Sequence, residues 1–293
     1  MMTFAQLVRV SRPPTLAATV VPILVGAAVA WISGKFSWWS WLDMIAIGFA
    51  MQIGANMLNE YFDFQKGLDG EESQGIGGII VSGEVPAKTV WHGALICYGI
   101  ALGLGLILVA THGPWLLVMG LLAILAGFVY AGGPLPLSST PFGEIIVFFV
   151  MGPLEVTATS LATSGVITSL AWFASLPVGL LVASILLANN LRDRTKDAAF
   201  GRHTIPIVLG SRTGFAILVG FIGLAYATVL FLVLSHRMPV SAGLVLASIP
   251  LAVKSVRAMR TEPGLRRGVP IVGRLHVVMG FLLTLGILWN VHG

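Results

Sequence analysis

Cysteine is almost missing from this chain of 293 residues: Cys97 is the only one. No intrachain disulfide can form, and no metal site can be built on cysteine thiolates. Charge is scarce as well. Only 10% of residues are charged against 56% hydrophobic, with a mean hydropathy of +0.92, whereas an ordinary soluble domain carries about 25% charged residues. A chain this apolar cannot cover a water-facing surface, so it reads as a polytopic membrane protein. The histidines, His92, His112, His203, His236, His276 and His292, are scattered without ligand spacing. The basic excess is slight, 17 Lys and Arg against 12 Asp and Glu. In a membrane chain such an excess sets orientation rather than binding nucleic acid, and no feature calls for an obligate protein partner.

A helix needs about 20 largely apolar residues to cross a bilayer. Nine runs qualify: roughly 15–33, 42–60, 90–111, 115–131, 142–163, 171–191, 213–235, 239–258 and 270–290. The closest neighbours are separated by "THGP" at 111–114 and "GGPLPLSSTP" at 132–141, both turn-forming strings. The opening "MMTFAQLVRVSRPP" leads into an apolar run without a small-residue cleavage site, so that run is read as a retained first span. Putting the N-terminus inside places every Lys and Arg except Lys35 and Arg237 on the inner side, as the positive-inside rule demands. The expectation is one all-α membrane-embedded domain over 1–293 in the cell membrane, N-terminus cytoplasmic and C-terminus outside.

Acids are concentrated where two inward-pointing spans end. In "NMLNEYFDFQKGLDGEES" (56–73), the residues Gln52, Asn56, Asn59 and Asp63 fall at i, i+4, i+7 and i+11, one face of a helix. Ile53, Met57, Leu58 and Phe62 occupy the other faces. Polar residues at such depth normally face a bundle interior or a wet cavity. In "LLANNLRDRTKDAAFGRHTIPIVLG" (186–210), Asn189, Asn190, Asp193 and Asp197 again share a face. A shift of 130 residues lays Asn59 on Asn189 and Asp63 on Asp193, a slight internal repeat relating the regions around 42–69 and 171–197.

Asn and Asp oxygens are hard ligands suited to Mg²⁺, which is commonly shared between carboxylates and substrate phosphates. Cations interleave with the acids: Lys66 in the first stretch, and Arg192, Arg194, Lys196 and Arg202 in the second. Carboxylates for a metal beside cations for an anion make a diphosphate site, with His203 at its edge. At the mouth of a membrane bundle the ligand would be a lipid diphosphate. Asp69, Glu71, Glu72 and Glu84 taken singly read as helix ends and solvated turns. The basic residues at 254–274 read as orientation signals or contacts to anionic lipid. Glu144 and Glu155 lie inside the fifth run, and intramembrane acids are functional suspects; either is a candidate base. Transport of an anionic solute is the alternative from another class, but transporter sites usually lie near the midplane.

"NEYFDFQKGLD" resembles the first aspartate-rich motif of the UbiA superfamily of intramembrane prenyltransferases, and "NNLRDRTKD" with "GRHTIPIVLG" resembles the second. The likeness extends to "SRPPTLAATVVPILVGAAVAW" at 11–31 and "YAGGPLPLSSTPFGEIIVFFVMGPLEV" at 130–156, and is greatest to the branch that prenylates 1,4-dihydroxy-2-naphthoate for menaquinone. The resemblance implies nine helices around a central cavity open at the cytoplasmic side. It implies Mg²⁺ held by Asn59, Asp63, Asp193 and Asp197, and prenyl transfer from a diphosphate to an aromatic acceptor. By the same resemblance Arg12 and Tyr130 line the diphosphate or prenyl side, with Lys66, Arg192, Lys196 and Arg202 on the diphosphate. Asn56, Glu60, Asp69, Asn189 and Asn190 are further candidates. Glu60 stands where many relatives carry Asp, Leu135 where a basic residue is common, and 75–83 lacks a frequent arginine. These departures spare the metal motifs and bear on the acceptor, for which 4-hydroxybenzoate, haem and glycerol-phosphate types stay open.

Overall fold

The computed structural model describes residues 2–68 and 78–289, and the regular structure among them is helical throughout. A short helix α1 (Phe4–Ser11) precedes α2 (Pro13–Ile32), α3 (Trp38–Gln65), α4 (Ala87–His112) and α5 (Trp115–Ala131). Then come α6 (Gly143–Ser164), α7 (Ser169–Ala199), α8 (Ser211–Leu234), α9 (Val240–Ala258) and α10 (Gly268–Trp289). Among the described residues eight of these, all but α1 and α5, are long and apolar enough to cross a membrane. Helix α5 is apolar but has only 17 residues.

Local chemistry explains the helix starts and irregularities. Pro13 and Pro14 open α2, where their missing N–H groups leave no helical bond unmade. Ser37 and Thr168 cap α3 and α7, each hydroxyl accepting from a first-turn backbone N–H. Helix α1, absent from the apolar count, is closed by a reciprocal cap between Thr3 and Gln6. The first half of α9, Val240–Ser248, is a 3₁₀ helix. The middle of α6, Val150–Leu154, is a π turn around Pro153. There Gly152 lies against α7 so closely that a Cβ would sit 2.7 Å from the Cα of Gly179; small residues let membrane helices approach in this way. In α2, Pro22 removes the N–H that would bond the carbonyl of Ala18. The buried ring of His276 on α10 turns toward that carbonyl, without a well-aligned hydrogen bond.

Two helices run on past their apolar runs. Helix α3 has 28 residues and α7 has 31, or about 42 and 46 Å at 1.5 Å per residue, against a hydrocarbon core of about 30 Å. No Gly or Pro falls in α3 between Gly54 and Gly67 or in α7 between Gly179 and Gly201. The acidic motifs are therefore the last helical turns, held rigidly, rather than loops.

The bundle has two distinct ends. At one, Thr163 accepts from the backbone N–H of Ser37 and Arg237 lies 5.0 Å from the ring centroid of Phe173. Every tryptophan except Trp91 belongs to helix termini at this end, and Trp31, Trp38 and Trp41 join Phe36 in an edge-to-face cluster. The other end carries both acidic motifs and every Lys and Arg except Lys35 and Arg237. An interfacial aromatic belt opposite a cation-rich rim is the pattern of a bilayer-spanning protein. The chain is a multi-pass membrane protein. Its core divides as well. One buried cluster joins α2 with α6 to α10, and a second joins α1, α3, α4 and α5 with Ile79, Ile80 and Val85. The first acidic motif belongs to the smaller cluster's helices and the second to the larger's.

Candidate active site

Among the described residues Arg202 ties the two motifs together across that seam. Arg202, in the turn after α7, donates from Nη2 to Oδ1 of Asp63 on α3 at 2.7 Å and places Nη1 3.4 Å from Oδ1 of Asp197 on α7. Its backbone N–H bonds the Asp197 carbonyl at 3.0 Å. The neighbouring His203 N–H bonds the carbonyl of Ser139 at 2.8 Å, which ties this turn to the segment before α6. Gly201, at φ 73°, supplies the left-handed residue that lets the turn fold back. Asp193 is gripped locally. Arg192 donates from Nε and Nη2 to its two oxygens at 2.8 and 2.6 Å, and from Nη2 to Oδ1 of Asn189 at 2.7 Å. The charges of Arg202, Asp193, Asp63 and Lys196 all act on Asp197.

Most expected site residues lie in or beside this cluster. Tyr130, at the end of α5, feels the charges of Glu144, Arg202, Asp63 and Asp197. Lys66 follows directly after α3; partial burial, aided by Arg202 and opposed by Asp63, holds its ammonium below the ordinary lysine range. The amide of Asn59, half-buried, makes no hydrogen bond to another described residue. Glu144 is only 1% exposed. Its Oε1 accepts from Nδ2 of Asn190 at 2.8 Å, and its Oε2 is buried without a partner among the described residues. The same holds for Oδ2 of Asp197.

Other candidates are turned away. Glu60 is 1% exposed; its Oε2 accepts from Arg12 at 2.9 Å, and its Oε1 from the backbone N–H groups of Gly78 and Ile79 at 2.6 and 2.8 Å. Asn56 donates to the Ser11 carbonyl and the Thr15 hydroxyl, both at 2.8 Å. Arg12, Glu60 and Asn56 thus nail the α1–α2 junction and the 78–80 turn onto α3. Nearby, α1 reaches the same segment, with Gln6 donating to the Glu84 carbonyl and Arg9 pairing with the Glu84 carboxylate. Hydrogen bonds from Ser82 and then Arg9 hold that carboxyl below the usual carboxylate range. Arg194 donates to the Pro206 carbonyl, outside the acidic cluster. Glu155 lies far down α6, with Oε1 close to where a Cβ on Gly48 would be. It is 11 residues, or about 16 Å, below Glu144. Asp69, Glu71 and Glu72 lie outside the described residues.

Helical spacing misses the Arg12–Glu60–Gly78 knot and the Glu144–Asn190 pair, because their members are 46 to 48 residues apart or meet through backbone amides. The hint in the sequence is that Glu60 and Asn190 occupy matching positions, each directly after the first asparagine of its motif.

As a place for a divalent cation the cluster has the right chemistry. It offers carboxylates from two helices and, without a hydrogen-bond partner among the described residues, the Asn59 amide and a buried Asp197 oxygen. A guanidinium bridging Asp63 and Asp197 marks a position where positive charge is favoured. Arginine rather than proximity alone organises the acids: among the described residues no three Asp, Glu, His or Cys side chains form a ready-made metal cage.

Comparison with known proteins identifies the family and the fold. The model of the UbiA prenyltransferase family matches residues 19–267. The chain is 35% identical over 283 residues to the 1,4-dihydroxy-2-naphthoate octaprenyltransferase of Bacillus subtilis (strain 168), covering 96% of this chain and 91% of that protein. Its fold is similar to a UbiA homolog from Aeropyrum pernix K1, with TM-score 0.70 and 18% identity over 93% of this chain and 97% of that one. It is also similar to a UbiA homolog from Archaeoglobus fulgidus bound to GPP and Mg²⁺, with TM-score 0.66 and 15% identity over 94% and 99%.

Proposed function

The chain belongs to the UbiA prenyltransferase family, and from that premise we propose that it transfers a polyprenyl group from its diphosphate to a ring carbon of 1,4-dihydroxy-2-naphthoate or a close relative, releasing diphosphate. The observation that carries the reading is the Arg202 bridge, which draws Asp63 of one motif and Asp197 of the other to a common cation-favouring position. Asn59, Asp63, Asp193 and Asp197 hold Mg²⁺, which when bound screens the diphosphate and favours its departure. Lys66, Arg192, Lys196, Arg202 and Tyr130 surround the leaving group, where fixed positive charge stabilises the negative charge that develops as the allylic bond breaks. Apolar helices keep water from the resulting cation.

Glu144 is the better candidate for removing a proton from the acceptor. One of its oxygens is oriented by Asn190 and the other has no partner among the described residues, and it acts on Tyr130 beside the acids. Glu155 is about 16 Å deeper along α6, beyond reach of an acceptor that must touch the carbon bearing the diphosphate. Arg12 acts through Glu60, shaping the site's wall. We further propose that α5 is a ninth span, since its last turn meets α3 where Gly132 abuts Phe62, and that the cation-rich end faces the cytoplasm with the C-terminus outside. On this reading the chain is one domain, in which α3 and α7 are related halves that present Asn–x₃–Asp at the same end.

Purified protein in detergent, given a radiolabelled polyprenyl diphosphate and a panel of acceptors, tests the proposal. Conversion should require Mg²⁺, prefer the naphthoate, and vanish in Asp63→Ala and Asp193→Ala with the fold intact. Activity surviving both substitutions, or another preferred acceptor, would overturn it.

A further inference from the structure

Every acid expected to serve a metal here is already engaged by a cation, and one of those cations is shared. Arg192 and Asp193 are neighbours in sequence, so their contact is local. Arg202 reaches across the seam to Asp63, 139 residues away, while also lying against Asp197. Its side chain is only 15% exposed. Its Nε is buried with no hydrogen-bond partner among the described residues. A guanidinium has a planar fork of five donors; here one edge of the fork holds carboxylates and the Nε–H is left over. The carboxylates on Arg202 take its two terminal nitrogens and leave that donor unmet, but a diphosphate entering beside it can meet it, because its many oxygens suit arginine's paired donors.

A divalent ion held by Asp63 and Asp197 needs the same carboxylate oxygens that Arg202 uses, and it repels the guanidinium. We propose that Arg202 is a competing cation that keeps metal affinity low until a diphosphate draws its guanidinium away, so that metal and prenyl diphosphate bind together rather than in sequence. The inference rests on the metal and diphosphate assignment above and adds the coupling between them. Its hinge is the side chain alone. The backbone of the turn stays pinned by Arg202 N–H to Asp197 and by His203 N–H to Ser139, so transfer of the guanidinium from carboxylate to diphosphate needs only side-chain rotation. Linkage makes the effect reciprocal: diphosphate tightens the metal by the factor by which the metal tightens diphosphate.

The test reads metal binding without turnover. Mn²⁺ is titrated into the purified full-length protein and followed by electron paramagnetic resonance, with and without inorganic diphosphate. Arg202→Gln should bind Mn²⁺ about tenfold more tightly than the parent in the absence of diphosphate, the scale of one charged hydrogen bond. Diphosphate should then tighten Mn²⁺ strongly in the parent and little in the variant. Arg202→Lys, which keeps the charge without the fork, should fall between the two and serves if the Gln variant aggregates. Unchanged or weaker Mn²⁺ binding in both variants, with Asp63→Asn and Asp197→Asn still weakening it, would overturn the competition while leaving the metal site standing. If the Asp variants bind Mn²⁺ like the parent, the metal assignment itself fails, and the coupling with it.

Discussion

Glu60 offers a direct test of whether the first motif is read correctly, because it lies between Asn59 and Asp63 yet faces the other way. Its carboxylate holds the Arg12 guanidinium and the N–H groups of Gly78 and Ile79. Glu60→Ala strands a guanidinium that is 22% exposed and two backbone donors. Removing one member of a buried pair costs about 3–5 kcal/mol, and the partial exposure of Arg12 argues for the lower figure. Glu60→Gln keeps an oxygen for the two amides and loses only the charged hydrogen bond, about 2 kcal/mol. Thermal melts in detergent should therefore rank parent, Gln and Ala, with the Gln variant lower by about 4–8 °C. Mn²⁺ affinity of the Gln variant should stay within a few-fold of the parent, whereas Asp63→Asn should lose far more. A Gln variant that melts like the parent but loses Mn²⁺ as Asp63→Asn does would make Glu60 a ligand and refute the geometry.

Other substitutions probe the remaining supports. Gly152→Ala places a methyl 2.7 Å from Gly179 Cα, so two backbones must part by about 0.7 Å; a cost of about 1–3 kcal/mol and a loosened Glu144–Asn190 bond should appear as a lower melting temperature and reduced turnover. Glu144→Gln keeps the shape while removing the base, and single-turnover measurements should find the chemical step slowed by about 10²–10⁴-fold with Mn²⁺ binding unchanged. A double-mutant cycle pairs His276→Leu with Pro22→Ala. The alanine restores an N–H for the Ala18 carbonyl, so thermal melts should find the leucine change costing about 0.5 kcal/mol less in the Pro22→Ala background, the low end for a hydrogen bond because the contact is poorly aligned; strict additivity would dismiss the contact.

Eight of the nine expected spans and the two acidic helix stripes were legible because hydropathy and helical spacing are local properties. Asn59 with Asp63, and Asp193 with Asp197, share faces at a spacing of four, whatever else the chain does. The apolar runs nonetheless underestimated α3 and α7. Hydropathy ends where the membrane ends, whereas a helix ends where its backbone is interrupted, here near Gly67 and Gly201. Helix α1 escaped notice because it is short and amphipathic.

The sequence by itself determined that this is a membrane bundle whose acids gather in two helical stripes among cations, since too few charged residues exist to cover a soluble surface and the few present fall at fixed helical intervals. Which acid meets which cation was decided by tertiary structure alone. Glu60 belongs to Arg12, Asn190 to Glu144, and Asp63 to Arg202, all contacts between helices or turns remote in the chain. Charges at a helix end have several partners within reach, and only the packing of the two halves against each other selects among them.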